Sequence, residues 1–286
     1  MKPLFQLSTE KAVQDFLDTP SHALLLSGPA GSGKGTLAQY IAHTLIFGDS
    51  IGNLHDHPYT LWYHDLEKGV SIQLIREAQN FMQLKTPGSH AIRRALIVEQ
   101  GETMSIEAQN AFLKLLEEPP EDTIIIVTTT GLDQLLPTIR SRVQHIRVLA
   151  PSLEQLNNYF GELYEPLPIK KAYYTSEGYV GLMKALLDQD NDHPLVAQIA
   201  IAKSLLAATT YERLAKVDEL TKQKNVSLLL HALERVCHAS LMQSVQSSST
   251  STKRWQQRLK TVVQAESLMR HNPSPKLLLT DLMLDL

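Results

Sequence analysis

Residues Gly28 to Thr36 read GPAGSGKGT, a spacing suited to cradling phosphate. Gly28, Gly31 and Gly33 allow the backbone to turn its N–H groups toward phosphate oxygens with no Cβ in the way. Lys34 supplies a cation that can reach the β- and γ-phosphates of a nucleotide. Pro29, Ala30, Ser32, Gly35 and Thr36 fill out the loop, and a helix starting there adds its dipole. Loops of this class carry Ser or Thr directly after the lysine to hold Mg²⁺. Gly35 stands in that position, with Thr36 one residue later. The expected ligand is therefore ATP or ADP, held weakly, with reduced support for Mg²⁺.

A site that hydrolyses nucleotide also needs acids at the end of a neighbouring strand. The strand expected to supply them reads ALIVEQGE, from Ala95 to Glu102. Glu99 and Gln100 stand where an ATPase carries a metal-binding Asp and a catalytic Glu. Glu99 could still orient a metal-bound water, but its longer side chain misplaces the carboxylate. Gln100 accepts no proton, and losing a general base typically costs roughly 10²–10⁴-fold in rate. Thr129, closing a further strand, is a candidate to face the nucleotide. Leu136 to Arg142 reads LPTIRSR and puts Arg140 and Arg142 just past that strand. An arginine at a domain edge can complete a neighbour's phosphate site in trans. On spacing alone, a surface or salt-bridging role fits each arginine equally well.

Composition bounds the partners. At 286 residues and 43% hydrophobic, the chain has room for two or three modest domains with real cores. Net charge is −3, so no global basic field draws nucleic acid, and any DNA contact must be local or come through partner chains. The single cysteine, Cys237, rules out an internal disulfide and a cysteine-based zinc site, and reads as a small buried apolar residue. No apolar run reaches the roughly 18 residues that cross a bilayer. The first residues lack the apolar core of a secretory signal. The expectation is a cytoplasmic protein without membrane contact.

Those chemical residues need a scaffold. His22–Ser27 is a short apolar run expected to be a buried parallel strand, followed by the loop and by a helix over Thr36–Phe47. A helix is expected over Val70–Leu84, with Ile72, Ile75, Ala78 and Met82 inward. Arg94–Glu99 reads as a second strand. Ser105 caps an amphipathic helix to Glu118, which Pro119 and Pro120 end. Thr123–Thr129, TIIIVTT, is β-branched and central. Strands alternating with helices imply an α/β fold with a parallel sheet covered on both faces. Pro151–Asp190 holds short helical stretches, and helical periodicity runs from there to the end. Ser244–Thr252, SVQSSSTST, reads as a loop between helices.

Several stretches carry a family resemblance. Ser105–Gln144, SIEAQNAFLKLLEEPPEDTIIIVTTTGLDQLLPTIRSRVQ, resembles the core of the AAA+ clamp-loader subunits of bacterial replication, which share an LEEPP signature and an SRC motif. Val143 replaces the cysteine of that motif. His22–Ala38 is similar to the family's first strand and phosphate loop. Ser176–Leu187 resembles the sensor-2 helix of the lid, with Gly181 where motor subunits carry arginine. The last stretch, Asn272–Leu286, is similar to the closing helix of the delta-prime collar. The four-cysteine zinc module usual after the loop helix is missing from the short, cysteine-free Phe47–Pro58. His55, His57 and His64 cluster nearby but read as solvated rather than as ligands.

The resemblance implies three domains: an AAA+ P-loop nucleotide-binding domain over 1–150, a helical lid over 151–190 and an all-α collar over 191–286. It further implies the delta-prime branch, which helps load the sliding clamp of DNA polymerase III on primed DNA while hydrolysing little ATP itself. The implied partners are gamma/tau motor subunits and the clamp-opening delta subunit in a hetero-pentameric ring. The sliding clamp follows, and so does primer-template DNA, reached mainly through the assembly. Arg142, in SRV, takes the place of the trans-acting arginine finger. A gamma/tau motor is the alternative identity. GPAGSGKGT also resembles the loop of adenylate kinases, and a scaffold that binds no nucleotide is the third reading.

Overall fold

The computed structural model describes residues 4–29, 31–48, 52–64, 69–88, 90–190, 193–222, 225–247, 250–269 and 273–286. Ala30 of the phosphate loop, residues 49–51 of the short cysteine-free stretch, 248–249 of the serine tract and Asn272 lie outside them. The chain forms two compact units, Met1–Pro151 and Ser152–Leu286.

In the first unit the order is α1 (Leu7–Asp18), β1 (Ala23–Ser27), α2 (Lys34–Phe47), β2 (Thr60–Tyr63), α3 (Ile72–Met82), β3 (Arg94–Val98), α4 (Ile106–Glu117), β4 (Thr123–Thr129), α5 (Pro137–Arg140) and β5 (Gln144–Arg147). The five strands make one parallel sheet in the order β2-β3-β4-β1-β5. β1, β3 and β4 are buried along their whole length. Residues alternate across the pleat. Leu24, Leu26, Ala95, Ile97, Ile124 and Ile126 therefore meet Phe16 of α1 and Leu37 and Ile41 of α2 on one face. Leu25, Leu96, Val98, Ile125 and Val127 meet Ile75 of α3 and Phe112 and Leu116 of α4 on the other. A sheet covered on both faces is what continuous apolar strands require.

Two strands have no apolar run to announce them. β2 and β5 lie at the sheet edges, and Gln144–Arg147 buries only Ile146. The helix expected from Val70 begins instead at Ile72, because Ser71 caps it by accepting the Leu74 N–H at 3.4 Å. α4 is capped as expected, with Ser105 Oγ accepting the Ala108 N–H at 3.2 Å.

The second unit is helical: α6 (Leu153–Phe160), α7 (Pro166–Ser176), α8 (Val180–Asp188), α9 (Pro194–Ala207), α10 (Thr210–Ala215), α11 (Val217–Lys222), α12 (Val226–Gln246), α13 (Thr252–Met269) and α14 (Pro275–Asp285). Its core joins Leu182 and Ala185 of α8 to Leu205, Leu233, Cys237, Val262 and Leu279 of the later helices. Contacts thus run continuously across residue 190, where lid and collar were expected to meet. The stretch expected as one helix from Ser176 is broken at Glu177 and Gly178, both at positive φ, and the helix starts at Val180. Ser244–Gln246, expected as loop, extends α12; the Ser244 hydroxyl donates to the Leu241 carbonyl at 2.8 Å within the helix. A serine that bonds back to its own helix need not end it. Among the described residues, no helix is long and apolar enough to cross a membrane.

Candidate functional site

At the C-terminal ends of β1, β3 and β4 lies a cavity of about 460 Å³. Gly31, Gly33, Lys34, Gly35 and Thr36 line it from the loop, and Glu99, Gln100 and Glu102 from the end of β3. Trp62 and His64 close the side, with Thr128 and Thr130 at the floor. A larger hollow, about 730 Å³, opens at the opposite end of the sheet beside Arg93 and Asp122, away from this chemistry.

The loop is built as its glycines predict. Gly31 and Gly33 sit at φ 78° and 82°, a region that disfavours other residues. A Cβ on Gly28 would stand 2.9 Å from the Val148 carbonyl oxygen, so no larger residue fits. Lys34 is 8% exposed, and its ammonium donates to the carbonyls of Gly28 and Pro29, both at 2.7 Å. Ser32 Oγ lies 3.4 Å from the same nitrogen. The lysine thus closes the loop on itself. Burial lowers its pKa to about 8, although Glu102 and Glu99 pull the other way.

The strand end is altered in detail. Glu99 Oε1 accepts the Trp62 indole N–H at 3.0 Å. Trp62 in turn contacts the His55 and His64 rings, each tilted to it and 4.5 Å away centre to centre. His57 packs edge-on against Phe47 and against Tyr59. These histidines serve as aromatic packing around the β2 edge. Gln100 turns into the left-handed region at φ 54°, and its N–H donates to Thr128 Oγ1 at 3.3 Å. Glu102, two residues on, accepts from the Thr130 N–H at 3.2 Å and from the Thr130 hydroxyl. Its Oε2 is buried with no hydrogen-bond partner among the described residues.

Thr129 corrects an expectation. Its side chain is wholly buried and accepts the Gly131 N–H at 3.1 Å, and its carbonyl accepts the Gly28 N–H at 3.1 Å. Alternation along β4 turns Thr128 and Thr130 to the cavity and Thr129 away. Gly28, Pro29 and Ser32 shape the loop without lining the cavity. Trp62, Gln39, Glu102, Thr128 and Thr130 were not singled out from sequence, and His64 was noted only as one of a solvated cluster. The pleat period would have found the two threonines; Trp62 and Gln39 come from tertiary placement alone.

Arg142 lies elsewhere on the first unit, exposed after α5. Its Nη2 is 3.0 Å from Glu117 Oε1, and its Nη1 donates to the Thr138 carbonyl at 3.1 Å. Arg140 makes, among the described residues, a 3.8 Å contact with the fully exposed Asp133. Within this chain, Arg142 is the better held arginine.

Set against known proteins, residues 9–152 match the family described as "DNA polymerase III, delta subunit". The chain belongs to this family. A DNA polymerase III subunit delta' of Pseudomonas aeruginosa is 33% identical over 138 residues, 43% of this chain and 41% of that protein. A DNA polymerase III subunit gamma of Buchnera aphidicola is 31% identical over 150 residues, 48% of this chain and 41% of that protein. The matched stretches thus span about two-fifths of these relatives' own length. The crystal structure of a gamma subunit-related protein from Thermotoga maritima superposes with a TM-score of 0.60 at 21% identity, over 96% of this chain and 97% of that one. That likeness extends the shared fold through the helical unit. The clamp-loader family and the α/β-plus-helical architecture stand as expected.

Proposed function

We propose that the chain is the delta-prime-type subunit of a DNA polymerase III clamp loader, a stationary member that binds nucleotide weakly and hydrolyses little or none. The observation that carries this reading is the strand end. Gln100 accepts no proton and Gly35 offers no hydroxyl, while the glycine loop and Lys34 keep every group that phosphate binding needs. Within such an assembly the chain sits beside gamma/tau motor subunits and the clamp-opening subunit in a five-membered ring. It meets the sliding clamp and primed DNA through that ring, in the cytoplasm. Residues 151–190 act as the lid and 191–286 as the collar.

Arg142 is the trans-acting arginine. Its pair with Glu117 is exposed, and an exposed pair is worth only about 0–1 kcal/mol. A neighbour's terminal phosphate can therefore draw the guanidinium away at little cost. Arginine fingers are worth roughly 10³–10⁵ in rate at the site they serve. The test is DNA-stimulated ATPase and clamp loading by a loader rebuilt with Arg142→Ala or Arg140→Ala. Arg142→Ala should cripple loading while the chain stays folded. Normal loading with Arg142→Ala, and failure with Arg140→Ala, would reverse the assignment.

A motor of the gamma/tau type is the second reading, favoured by the gamma relative at 31% identity. It requires ATP turnover by the purified chain that Lys34→Ala abolishes. Assay of phosphate release separates the two.

A further inference from the structure

Two departures from the usual phosphate loop, Gly35 and Glu99, lie apart in sequence and face each other in the fold. A Cβ built on Gly35 would stand 2.7 Å from Glu99 Oε1, with Glu99 Cδ and Oε2 both at 3.1 Å. The carboxylate therefore occupies the space where the side chain after the lysine would project. The Trp62 indole holds it there at 3.0 Å, and Trp62 itself packs against two imidazole rings. Glu99 is not a strand-end acid slightly out of place; it fills the hydroxyl's seat.

That arrangement departs from the usual Mg²⁺ site. The ion demands near-octahedral oxygen geometry at about 2.0–2.1 Å, and in these loops one oxygen is the hydroxyl after the lysine. Here the hydroxyl is absent and its volume is taken by a carboxylate whose Oε1 already accepts the Trp62 N–H. We propose that Glu99 and Gly35 form a reciprocal pair that adapts this site to a nucleoside diphosphate bound without a divalent cation. The inference rests on the reading of the loop as a nucleotide site and specifies its ligand. Without a bridging cation, the charge of the phosphates is met by Lys34, the loop N–H groups and the start of α2. Glu99 and Glu102 share the cavity and repel each added phosphate charge, so the diphosphate binds more tightly than the triphosphate.

Two measurements on the full chain test this. The first is calorimetric titration with ADP and with ATP, in excess EDTA and in excess Mg²⁺. Wild type should bind ADP equally in both buffers, and more tightly than ATP. Gly35→Ser with Glu99→Asp rebuilds the usual pair, and its ADP affinity should rise about tenfold on adding Mg²⁺, equivalent to about 1.4 kcal/mol. A tenfold Mg²⁺ gain in wild type overturns the proposal. The second is a thermal-melting cycle with no nucleotide, over Gly35→Ala, Glu99→Asp and the double variant. The double variant should melt higher than the two single shifts predict when added. Simple additivity overturns the pairing, whatever the nucleotide data show. Absence of any nucleotide binding alongside a coupled cycle would instead refute the nucleotide reading and leave the steric pair standing.

Discussion

On the loop side of the cavity, Gly31, Gly33 and Lys34 keep the conformation and charge that phosphate requires. On the strand-end side, Glu99 accepts from an indole, Gln100 stands where a proton acceptor is usual, and Glu102 spends one oxygen on Thr130. Binding and hydrolysis draw on opposite walls of one pocket. One wall can therefore be altered while the other stays intact, because backbone N–H groups and a lysine need neither a metal ligand nor a proton acceptor to hold an anion. The two walls are also set differently. Lys34 is satisfied by its own loop, whereas Glu99 is fixed by a tryptophan from the sheet edge.

The comparison can be broken first at the strand end. Gln100→Glu alone should leave phosphate release near background, because Gly35 and Glu99 still exclude the metal. Adding Gly35→Ser and Glu99→Asp should raise turnover by roughly 10²–10⁴-fold over wild type, the usual value of a general base. A full gain from Gln100→Glu alone would place the whole defect at one residue. On the loop side, Lys34→Ala removes charge-assisted hydrogen bonds worth about 1.5–3 kcal/mol each, so ADP affinity should fall tenfold or more by titration.

The acidity of Lys34 sharpens the contrast further. Its pKa in the free chain is lowered to about 8, and bound phosphate favours the charged form. Below pH 8 the ammonium is already present and affinity should be flat. Above pH 8 binding must take up a proton, and affinity should fall by up to about tenfold per pH unit. The fall should vanish in Lys34→Ala. The smallest effect belongs to Trp62→Phe, which keeps the ring and deletes the indole N–H. It should lower stability by about 1 kcal/mol in denaturant unfolding and leave the pH profile of ADP binding unchanged.

Much of the scaffold was legible in the sequence where burial is complete. β1, β3 and β4 are unbroken apolar runs because helices cover both faces, and Ser105 with Pro119 marked α4 at both ends. β2 and β5 escaped because an edge strand buries too little to need such a run. The serine tract misled in the other direction: Ser244 returns its hydroxyl to a helix carbonyl and lets α12 continue. The phosphate loop was readable since its groups are consecutive. Glu99 and Gln100 were readable from their strand end, but the contacts among Trp62, Glu99 and Gly35 were not, because they arise only in the folded sheet and helix. Thr129 was chosen by its position at a strand end, and the pleat assigned the task to its neighbours.

The Glu117–Arg142 contact ties the last turn of α4 to the turn after α5, and it sits in open solvent. Exposed charges feel dissolved ions over a Debye length of about 8 Å at physiological ionic strength. Added salt therefore acts on Arg142 twice. It loosens the hold of Glu117, freeing the guanidinium, and it also dims the attraction of any phosphate presented by a neighbour. At low salt Glu117 competes most strongly for the guanidinium, and at high salt both attractions fade. A rebuilt loader should run best at an intermediate ionic strength, and Glu117→Gln should shift that optimum toward lower salt.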